Sequence, residues 1–193
     1  MKMNCVETEA KQKIEKAFPT RKMIIGRCAN LTEPTKEHLE LGRGRCQYRN
    51  ECEKGCSFGA SFSSLSATLP AARRTNNLTT VTDAIVHSVT YDNVSKRATG
   101  VKIIDANTKD YRQYSGRIIF LCASTLGSTQ IMLNSISKSF PNGVANSSDT
   151  LGHYLMDHIF MSGASGEHPG FQENYYSGRR PNGIYIPRYR NVT

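Results

Sequence analysis

The stretch that most constrains the fold is an apolar run followed by a turn of small residues and a helical segment. Residues 117–123 have the sequence RIIFLCA, a continuous apolar run of the kind that buried parallel strands show. The small residues that follow, beginning at Ser124, lead into a predicted helix over residues 129–135. This succession is typical of a doubly wound α/β domain, in which dinucleotide ligands bind at such turns.

The rest of the chain predicts further short helices and strands, so the fold class is α/β, with α+β parts. Residues 6–18 carry apolar side chains at helical spacing and predict an amphipathic helix. A short helix over residues 65–72 is expected to be broken at Pro70. Alternating β-branched residues and short apolar runs predict strands at residues 23–25, within 79–91, at 98–105 and at 111–114.

Composition limits the class of protein. The 193 residues suffice for one full domain or for parts of two. The net charge of +9 is spread along the chain, without a basic run longer than a pair such as Arg73-Arg74, so a mildly basic surface is favoured over a nucleic-acid interface. We find no secretory signal and no stretch near the roughly 18 apolar residues of a membrane span. The sequence leaves open whether the protein is cytoplasmic or lies at the periphery of a membrane.

A cluster of cysteines is the densest group of reactive side chains. Cys46, Cys52 and Cys56 have the spacing C-x5-C-x3-C and make up three of the six cysteines. Such thiols can ligate a metal centre, form one disulfide such as Cys52–Cys56, or pack as structural cysteines. Zinc needs four ligands, so a zinc site would require a fourth, from Cys28, His38 or elsewhere. The residues alone leave these alternatives open.

Four segments, in the same order, resemble the glucose–methanol–choline (GMC) family of FAD-dependent oxidoreductases. They are residues 56–60 with 69–72, residues 77–101, residues 118–135, and residues 146–158, which end in GHYLMDH. The resemblance covers about residues 20–160. It implies part of a doubly wound FAD-binding domain with a β-meander, together with parts of an antiparallel-sheet substrate domain.

The chain departs from the family pattern in two places. It has no Gly-x-Gly-x-x-Gly fingerprint, and it has no match to the later region that supplies the family's catalytic His–His or His–Asn pair. The resemblance therefore implies the central part of a GMC protein, and no catalytic residue is assigned. Residues 1–75 would belong to the substrate or cap region, 76–145 to the FAD-binding domain and 146–193 to the return into the substrate domain. The chain alone is expected to be catalytically incompetent.

The resemblance implies three contacts to FAD. Val86 matches the position whose backbone contacts the adenine, while Ala123 and Ser124 match the strand end and turn beside the adenosine ribose. Without the resemblance, Val86 is interpreted as a core valine of a strand, and the other two as close strand–helix packing. Ser124 replaces a glycine of the family's turn, and serine lacks glycine's freedom at positive φ.

The cysteine spacing, followed by Gly59 and Ala60, resembles a subgroup of the family, the bacterial sugar and gluconate dehydrogenases. Their flavin subunit binds a 3Fe–4S cluster through three such cysteines, which implies Cys46, Cys52 and Cys56 as ligands. The resemblance further implies hydride transfer from the CH–OH group of a sugar or sugar acid to FAD. Electrons would then leave through the cluster to an external acceptor, such as an electron-accepting subunit.

Two other functions remain open at this point. One is a non-enzymatic metal-binding or interaction module, in which the cysteines hold zinc structurally. The other is a GMC oxidase without a cluster, in which O2 is the acceptor.

Overall fold

The structure is a computed structural model and describes residues 2–49, 52–158, 162–167, 169–171 and 183–188. Within these residues, a 3-10 turn spans Cys52–Lys54 and a π-helical turn spans Ser64–Thr68. No helix in the described part of the chain is long and apolar enough to cross a membrane. The regular elements are, in chain order, α1 (Cys5–Ala17), β1 (Ile24–Ile25), α2 (Lys36–Glu40), α3 (Leu69–Arg74), β2 (Ala84–Asp92), β3 (Arg97–Asp105), β4 (Tyr111–Ser115), α4 (Ser124–Leu133) and β5 (Ile184–Tyr185).

The described residues form two compact units. The first contains the described residues up to Leu78 and those from Ser165 onward, and the second contains the described residues of Thr79–Ala164. β1 pairs with β5 in the first unit, and β2, β3 and β4 form the sheet of the second. The assignment of chain segments to FAD-binding and substrate domains, made from the resemblance, stays a prediction.

The first helix begins at a capping box. The side-chain oxygen of Asn4 accepts the backbone N–H of Glu7 at 2.8 Å, and the Glu7 carboxylate accepts the N–H of Asn4 at 2.9 Å. Each side chain thereby satisfies a backbone donor that has no partner within the helix. The helix predicted over residues 6–18 is confirmed as α1.

α1 is tied to the chain that follows it through Met23, the largest fully buried side chain among the described residues. The Met23 N–H donates to Glu15 at 3.1 Å, and Lys11 donates to the Met23 carbonyl at 2.8 Å. Lys11 also pairs with Glu15 at 2.9 Å, one helical turn along α1. These contacts hold the backbone of Met23 against the helix.

The helix predicted over residues 65–72 is present, but Pro70 does not break it. The π-helical turn Ser64–Thr68 runs directly into α3, and Pro70 lies in the first turn of α3. Proline is tolerated there because its missing N–H would have had no intrahelical partner.

The sheet of the second unit is the antiparallel meander β2-β3-β4. The turn between β2 and β3 is built on Asp92, whose carboxylate oxygens accept the N–H groups of Val94 at 3.1 Å and Ser95 at 3.0 Å. Such a turn stabilised by an Asp side chain favours the hairpin. The predicted meander is confirmed.

α4 packs on this sheet through Ser135, which is buried just beyond the helix. The Ser135 hydroxyl accepts the N–H of Val89 at 2.7 Å and donates to the Ile131 carbonyl at 2.5 Å. The pairing of β2 with β3 shifts register between Val86 and Ser88, immediately before Val89. The hydroxyl thus satisfies a buried backbone donor beside an irregularity of the ladder.

The strand predicted at residues 117–123 is wrong. This run leads into α4 without joining either described sheet, and the side chains of Ile118 and Phe120 are 72% and 80% exposed. A strand requires a neighbouring backbone to bond with, and no strand in the described part of the chain pairs with this run. α4 begins at Ser124, earlier than the helix predicted from residue 129.

The close approach of β3 and β4 at Gly100 gives a stability prediction. Gly100 lies opposite Ser115, and an added Cβ would collide with the carbonyl oxygen of Tyr114. We expect Gly100→Ala to lower the free energy of unfolding by about 1–3 kcal/mol, because the backbone of β4 must move. Urea unfolding measures this. The control is Gly163→Ala, whose Cβ would meet nothing within 4 Å and should cost under about 0.5 kcal/mol; equal losses would contradict the prediction.

The loop between β3 and β4 gives a prediction about pH. Asp105 accepts the N–H groups of Thr108 at 3.1 Å and Asn107 at 2.9 Å and pairs with Arg112 at 3.2 Å. These backbone donors, aided by the charge of Arg112, lower the pKa of Asp105 despite some desolvation. A lowered folded-state pKa contributes stability above the ordinary Asp value of about 3.9, and that stability is lost as pH falls through the folded pKa.

We therefore expect Asp105→Asn to have a lower Tm than the wild type at pH 7. The difference should shrink as the pH falls below the ordinary range of an aspartate, because the wild type then loses the contribution of the ionised carboxylate. Thermal unfolding of both proteins between pH 7 and pH 3 measures it. A difference in Tm that stays constant across this range would contradict the assigned role of Asp105.

Candidate functional site

The segment that carries Cys46, Cys52 and Cys56 is held by two backbone hydrogen bonds, both made by Leu31. The N–H of Leu31 donates to the Ala60 carbonyl at 2.9 Å, and its carbonyl accepts the N–H of Cys46 at 2.8 Å. Leu31 therefore bonds to Cys46, the first of the three cysteines, and to Ala60, which lies beyond the last of them.

Further bonds extend this arrangement on both sides. The N–H of Gly44 donates to the Phe58 carbonyl at 2.7 Å, and the N–H of Phe62 donates to the Ala29 carbonyl at 2.8 Å. Asn30 and Ser61 form an isolated antiparallel bridge between these bonds. The backbone segments around Asn30, Gly44 and Ala60 thus lie side by side. The loop that carries Cys52 and Cys56 connects the second of these segments to the third.

The side-chain amide of Asn30 brings two of the predicted ligands together. Its Nδ2 atom lies 3.6 Å from the Sγ atoms of both Cys46 and Cys52. An amide NH2 group carries two hydrogens, so one can point at each sulfur. Cys46 is buried, at 7% exposure, and Cys52 is half-buried. The structure therefore places both thiols on one donor in a partly desolvated site.

The third predicted ligand, Cys56, lies among backbone N–H groups that follow it in the chain. Burial raises the pKa of the Cys56 thiol, but the N–H groups of Ser61, Phe58, Ala60 and Gly59 lower it by more, and the pKa is below its ordinary value. Hydrogen bonds to the charged form favour the thiolate. The thiolate is the form of cysteine that binds metals and reacts as a nucleophile.

A buried arginine holds these amides in place. Arg43 donates to the carbonyl of Gly59 at 3.0 Å and to that of Ala60 at 3.4 Å, and its guanidinium lies 5.5 Å from the centre of the Phe62 ring. Gly59 has a φ of +59°, and a Cβ there would lie 3.1 Å from the Gly42 carbonyl oxygen. Glycine is thus suited to this position on both conformational and steric grounds.

The three predicted ligands are free thiols, but the structure does not group all three of them at one point. All six cysteines lie in the described residues and each is a free thiol, so the disulfide Cys52–Cys56 is not present. Among the described residues, no three His, Cys, Asp or Glu side chains are grouped closely enough to hold a metal ion. The structure therefore brings Cys46 and Cys52 together at Asn30, and the sulfur of Cys56 would have to approach them to complete such a centre.

The three residues expected at FAD lie in the second unit. Val86 is a half-buried residue of β2 opposite Ile103, next to the register shift. Ala123 and Ser124 are exposed at the beginning of α4, where no side chain caps the helix. The first N–H groups of a helix have no intrahelical partners and suit an acceptor such as a phosphate or ribose oxygen. The contact of Ala123 and Ser124 with FAD stays a prediction.

Ser124 has a left-handed backbone conformation, which glycine adopts more readily than serine. Its φ is +60°, in the left-handed region, although serine has a Cβ that disfavours this conformation. The turn therefore has a positive φ at a serine, at some cost in stability.

Sequence reasoning missed two residues of this site. Asn30 contacts sulfurs that lie 16 and 22 residues further along the chain, and no periodicity or motif connects it to them. Arg43 belongs to a Gly-Arg-Gly-Arg stretch that resembles an exposed polar loop, yet it is 7% exposed. The one available signal was the pair of glycines flanking Arg43, which permits close backbone packing.

The family of the chain follows from a comparison of sequences. The sequence model described as GMC oxidoreductase matches residues 1–160. This chain belongs to the GMC oxidoreductase family, which confirms the resemblance seen in its four segments.

Two characterised relatives match shorter stretches. The 2-methyl-1,2-propanediol dehydrogenase of Mycolicibacterium austroafricanum is 35% identical over 79 residues, which is 41% of this chain and 14% of that protein. The fructose dehydrogenase large subunit of Gluconobacter japonicus is 27% identical over 128 residues, which is 65% of this chain and 23% of that protein. The matched region therefore spans less than a quarter of the length of either relative.

The conformation of Ser124 gives a prediction about α4. Relief of the left-handed strain on serine, about 1–2 kcal/mol, exceeds the extra backbone entropy of glycine, about 0.5–1 kcal/mol. We expect Ser124→Gly to raise the free energy of unfolding by up to about 1 kcal/mol, measured in urea. The control is Ser128→Gly inside α4, where the same exchange should lower it by about 0.5 kcal/mol. Changes of the same sign would contradict the prediction.

Proposed function

We propose that this chain is the central part of a FAD-dependent dehydrogenase that oxidises a CH–OH group of a sugar or sugar acid. Membership of the GMC oxidoreductase family supports the oxidoreductase class. Both relatives are named as dehydrogenases, one of a diol and one of fructose, which supports a CH–OH donor.

FAD, when bound, would accept the hydride that leaves the CH–OH carbon. We propose that the Val86 backbone contacts its adenine and that Ala123 and Ser124 lie beside its adenosine ribose. The uncapped beginning of α4 supports this, because its N–H groups are available to an acceptor. These residues would orient the adenine end of the cofactor and would not act on the substrate.

The domain roles are part of the same proposal. Residues 76–145 would contribute to the FAD-binding domain, while 1–75 and 146–193 would belong to the substrate domain. The packing of α4 on β2 within one compact unit supports the first assignment. Because no residue of the chain is assigned a catalytic role, we propose that residues 1–193 alone do not turn over substrate.

We also propose that Cys46, Cys52 and Cys56 hold a 3Fe–4S cluster. The observation that supports this step is the shared amide of Asn30, whose Nδ2 atom lies 3.6 Å from two of the three sulfurs. The N–H groups around Cys56 support a thiolate there. A cluster at these residues would supply one-electron transfer to an acceptor. That one relative is named a large subunit supports an electron-accepting partner subunit.

The substitution Cys52→Ser tests this function in the FAD-loaded holoenzyme, purified without oxygen. Iron and acid-labile sulfide are measured, together with flavin bleaching by substrate and reduction of a one-electron dye. We expect iron in the wild type. In the variant, iron should be lost and dye reduction should fall by at least about tenfold, while substrate still bleaches the flavin.

The matched control is Cys28→Ser, which should keep iron and dye reduction. Stoichiometric zinc in the wild type, with loss of zinc in both variants, would instead support a structural zinc module. Turnover with O2 that is unchanged by Cys52→Ser, in a protein without iron, would support a cluster-free oxidase. Either result would overturn the cluster proposal.

A further inference from the structure

The second unit contains a cavity of about 420 Å³ beside His87. It is lined by residues of β2, β3 and β4 and by the chain just after α4, so one compact unit supplies all of its walls. Its volume lies in the range of about 300–1,000 Å³ that small-molecule sites have. This cavity is called the His87 cavity.

His87 is the extra residue of a β-bulge. The pairs of the β2–β3 ladder on either side of it are Val86 with Ile103 and Ser88 with Lys102. His87 therefore has no counterpart on β3. A bulge bends its strand and changes the direction of a side chain, and bulges are frequent next to functional sites.

The imidazole of His87 carries a buried polar atom that is unsatisfied. Its Nδ1 atom has no hydrogen-bond partner within the described residues. The Tyr111 ring packs edge-on against the imidazole, with the ring centres 6.0 Å apart and the planes at 77°. A buried polar atom without a partner destabilises a fold and is rare in native proteins. With a hydrogen on Nδ1, the ring would donate to an acceptor held in the cavity.

The charged side chains that line the His87 cavity are basic. They are Lys102 of β3 and Arg112 of β4, and no Asp or Glu is among the described lining residues. Arg112 also pairs with Asp105 at 3.2 Å, which offsets part of its charge. Lys102 is exposed and forms no ion pair within the described residues. The charge at the cavity therefore favours an anion.

Uncharged donors complete the lining. The amide side chains of Gln113 and Asn134 and the phenol of Tyr111 each carry an N–H or O–H group. Hydrogen bonds from neutral donors and from cationic side chains are the contacts that carboxylate and phosphate oxygens make in proteins.

We propose that the His87 cavity binds the oxyanion group, a carboxylate or a phosphate, of a small organic ligand. Lys102 and Arg112 offset the charge of the ligand, and the His87 imidazole donates to one of its oxygens. The proposal does not rest on the function proposed above, because its lining residues include neither the three cysteines nor the three residues expected at FAD.

The test measures the binding of three probes to the FAD-loaded holoenzyme by titration calorimetry. The probes are methyl phosphate, propionate and propionamide, which has the shape of propionate without its charge. None has a CH–OH group, so none is a donor for the proposed oxidation. We expect at least one of the two anions to bind, and propionamide to bind at least about tenfold more weakly than that anion.

Two substitutions test whether the anion binds in this cavity. Lys102→Gln removes a positive charge, and His87→Phe removes both ring nitrogens while keeping a ring against Tyr111. Each should weaken binding of the anion at least about fivefold. The matched control is Lys96→Gln, which makes the same change of charge in the turn between β2 and β3, outside the lining. It should leave the affinity within about twofold of the wild type.

The unsatisfied nitrogen gives a second measurement. Without a probe, His87→Phe should have a Tm equal to or higher than that of the wild type, because it removes a buried polar atom that has no partner. A saturating concentration of the anion should raise the Tm of the wild type but not that of the variant. A merely structural role for His87 would instead lower the Tm of the variant without a probe.

The outcomes decide the proposal. Tighter binding of methyl phosphate supports it with a phosphate ligand, and tighter binding of propionate supports it with a carboxylate. It is overturned if neither anion binds, if propionamide binds as tightly as the anions, or if Lys102→Gln and His87→Phe weaken binding no more than Lys96→Gln does. A lower Tm of His87→Phe without a probe also overturns it. None of these results bears on the proposed dehydrogenase.

Discussion

The backbone of Leu31 is the constraint on which the cysteine segment depends. Its N–H and carbonyl bond to two stretches that lie far apart along the chain, at Ala60 and Cys46. The neighbouring Asn30 reaches two sulfurs because these bonds fix its position. Ala60 is fully buried, so the bond that it accepts is protected from water. These two peptide hydrogen bonds thus bring Asn30 close to Cys46 and Cys52, although the three residues are far apart in the sequence.

The elements that the sequence predicted well are those whose physical causes are local. The helix over residues 6–18 and the strands of the meander were predicted, and the capping box at Asn4 and the turn at Asp92 that stabilise them depend on residues within three positions. The strand at residues 117–123 failed because apolar character does not supply the neighbouring backbone that a strand requires. The predicted break at Pro70 is wrong because the proline lies in the first turn of α3, where it is tolerated. The sequence does not show that the preceding π-helical turn ends at Thr68.

The candidate site was predictable only in part for the same reason. The cysteine spacing indicated Cys46, Cys52 and Cys56, and family resemblance gave that spacing a chemical meaning. The donor that joins the first two, Asn30, lies outside the motif and contacts them only after the chain has folded back. The N–H groups around Cys56 come from residues close in sequence, but their direction depends on the left-handed conformation of Gly59.

The exposed run at residues 117–123 affects how molecules of this chain meet one another in solution. An apolar segment outside the two described sheets presents Ile118 and Phe120 to water, and exposed apolar surface favours association with a second molecule. The net charge of +9 opposes that encounter through mutual repulsion. Salt shortens the reach of this repulsion to about 8 Å at physiological ionic strength, while apolar attraction remains. The excess of Lys and Arg thereby opposes self-association at low salt and opposes it less as the ionic strength rises.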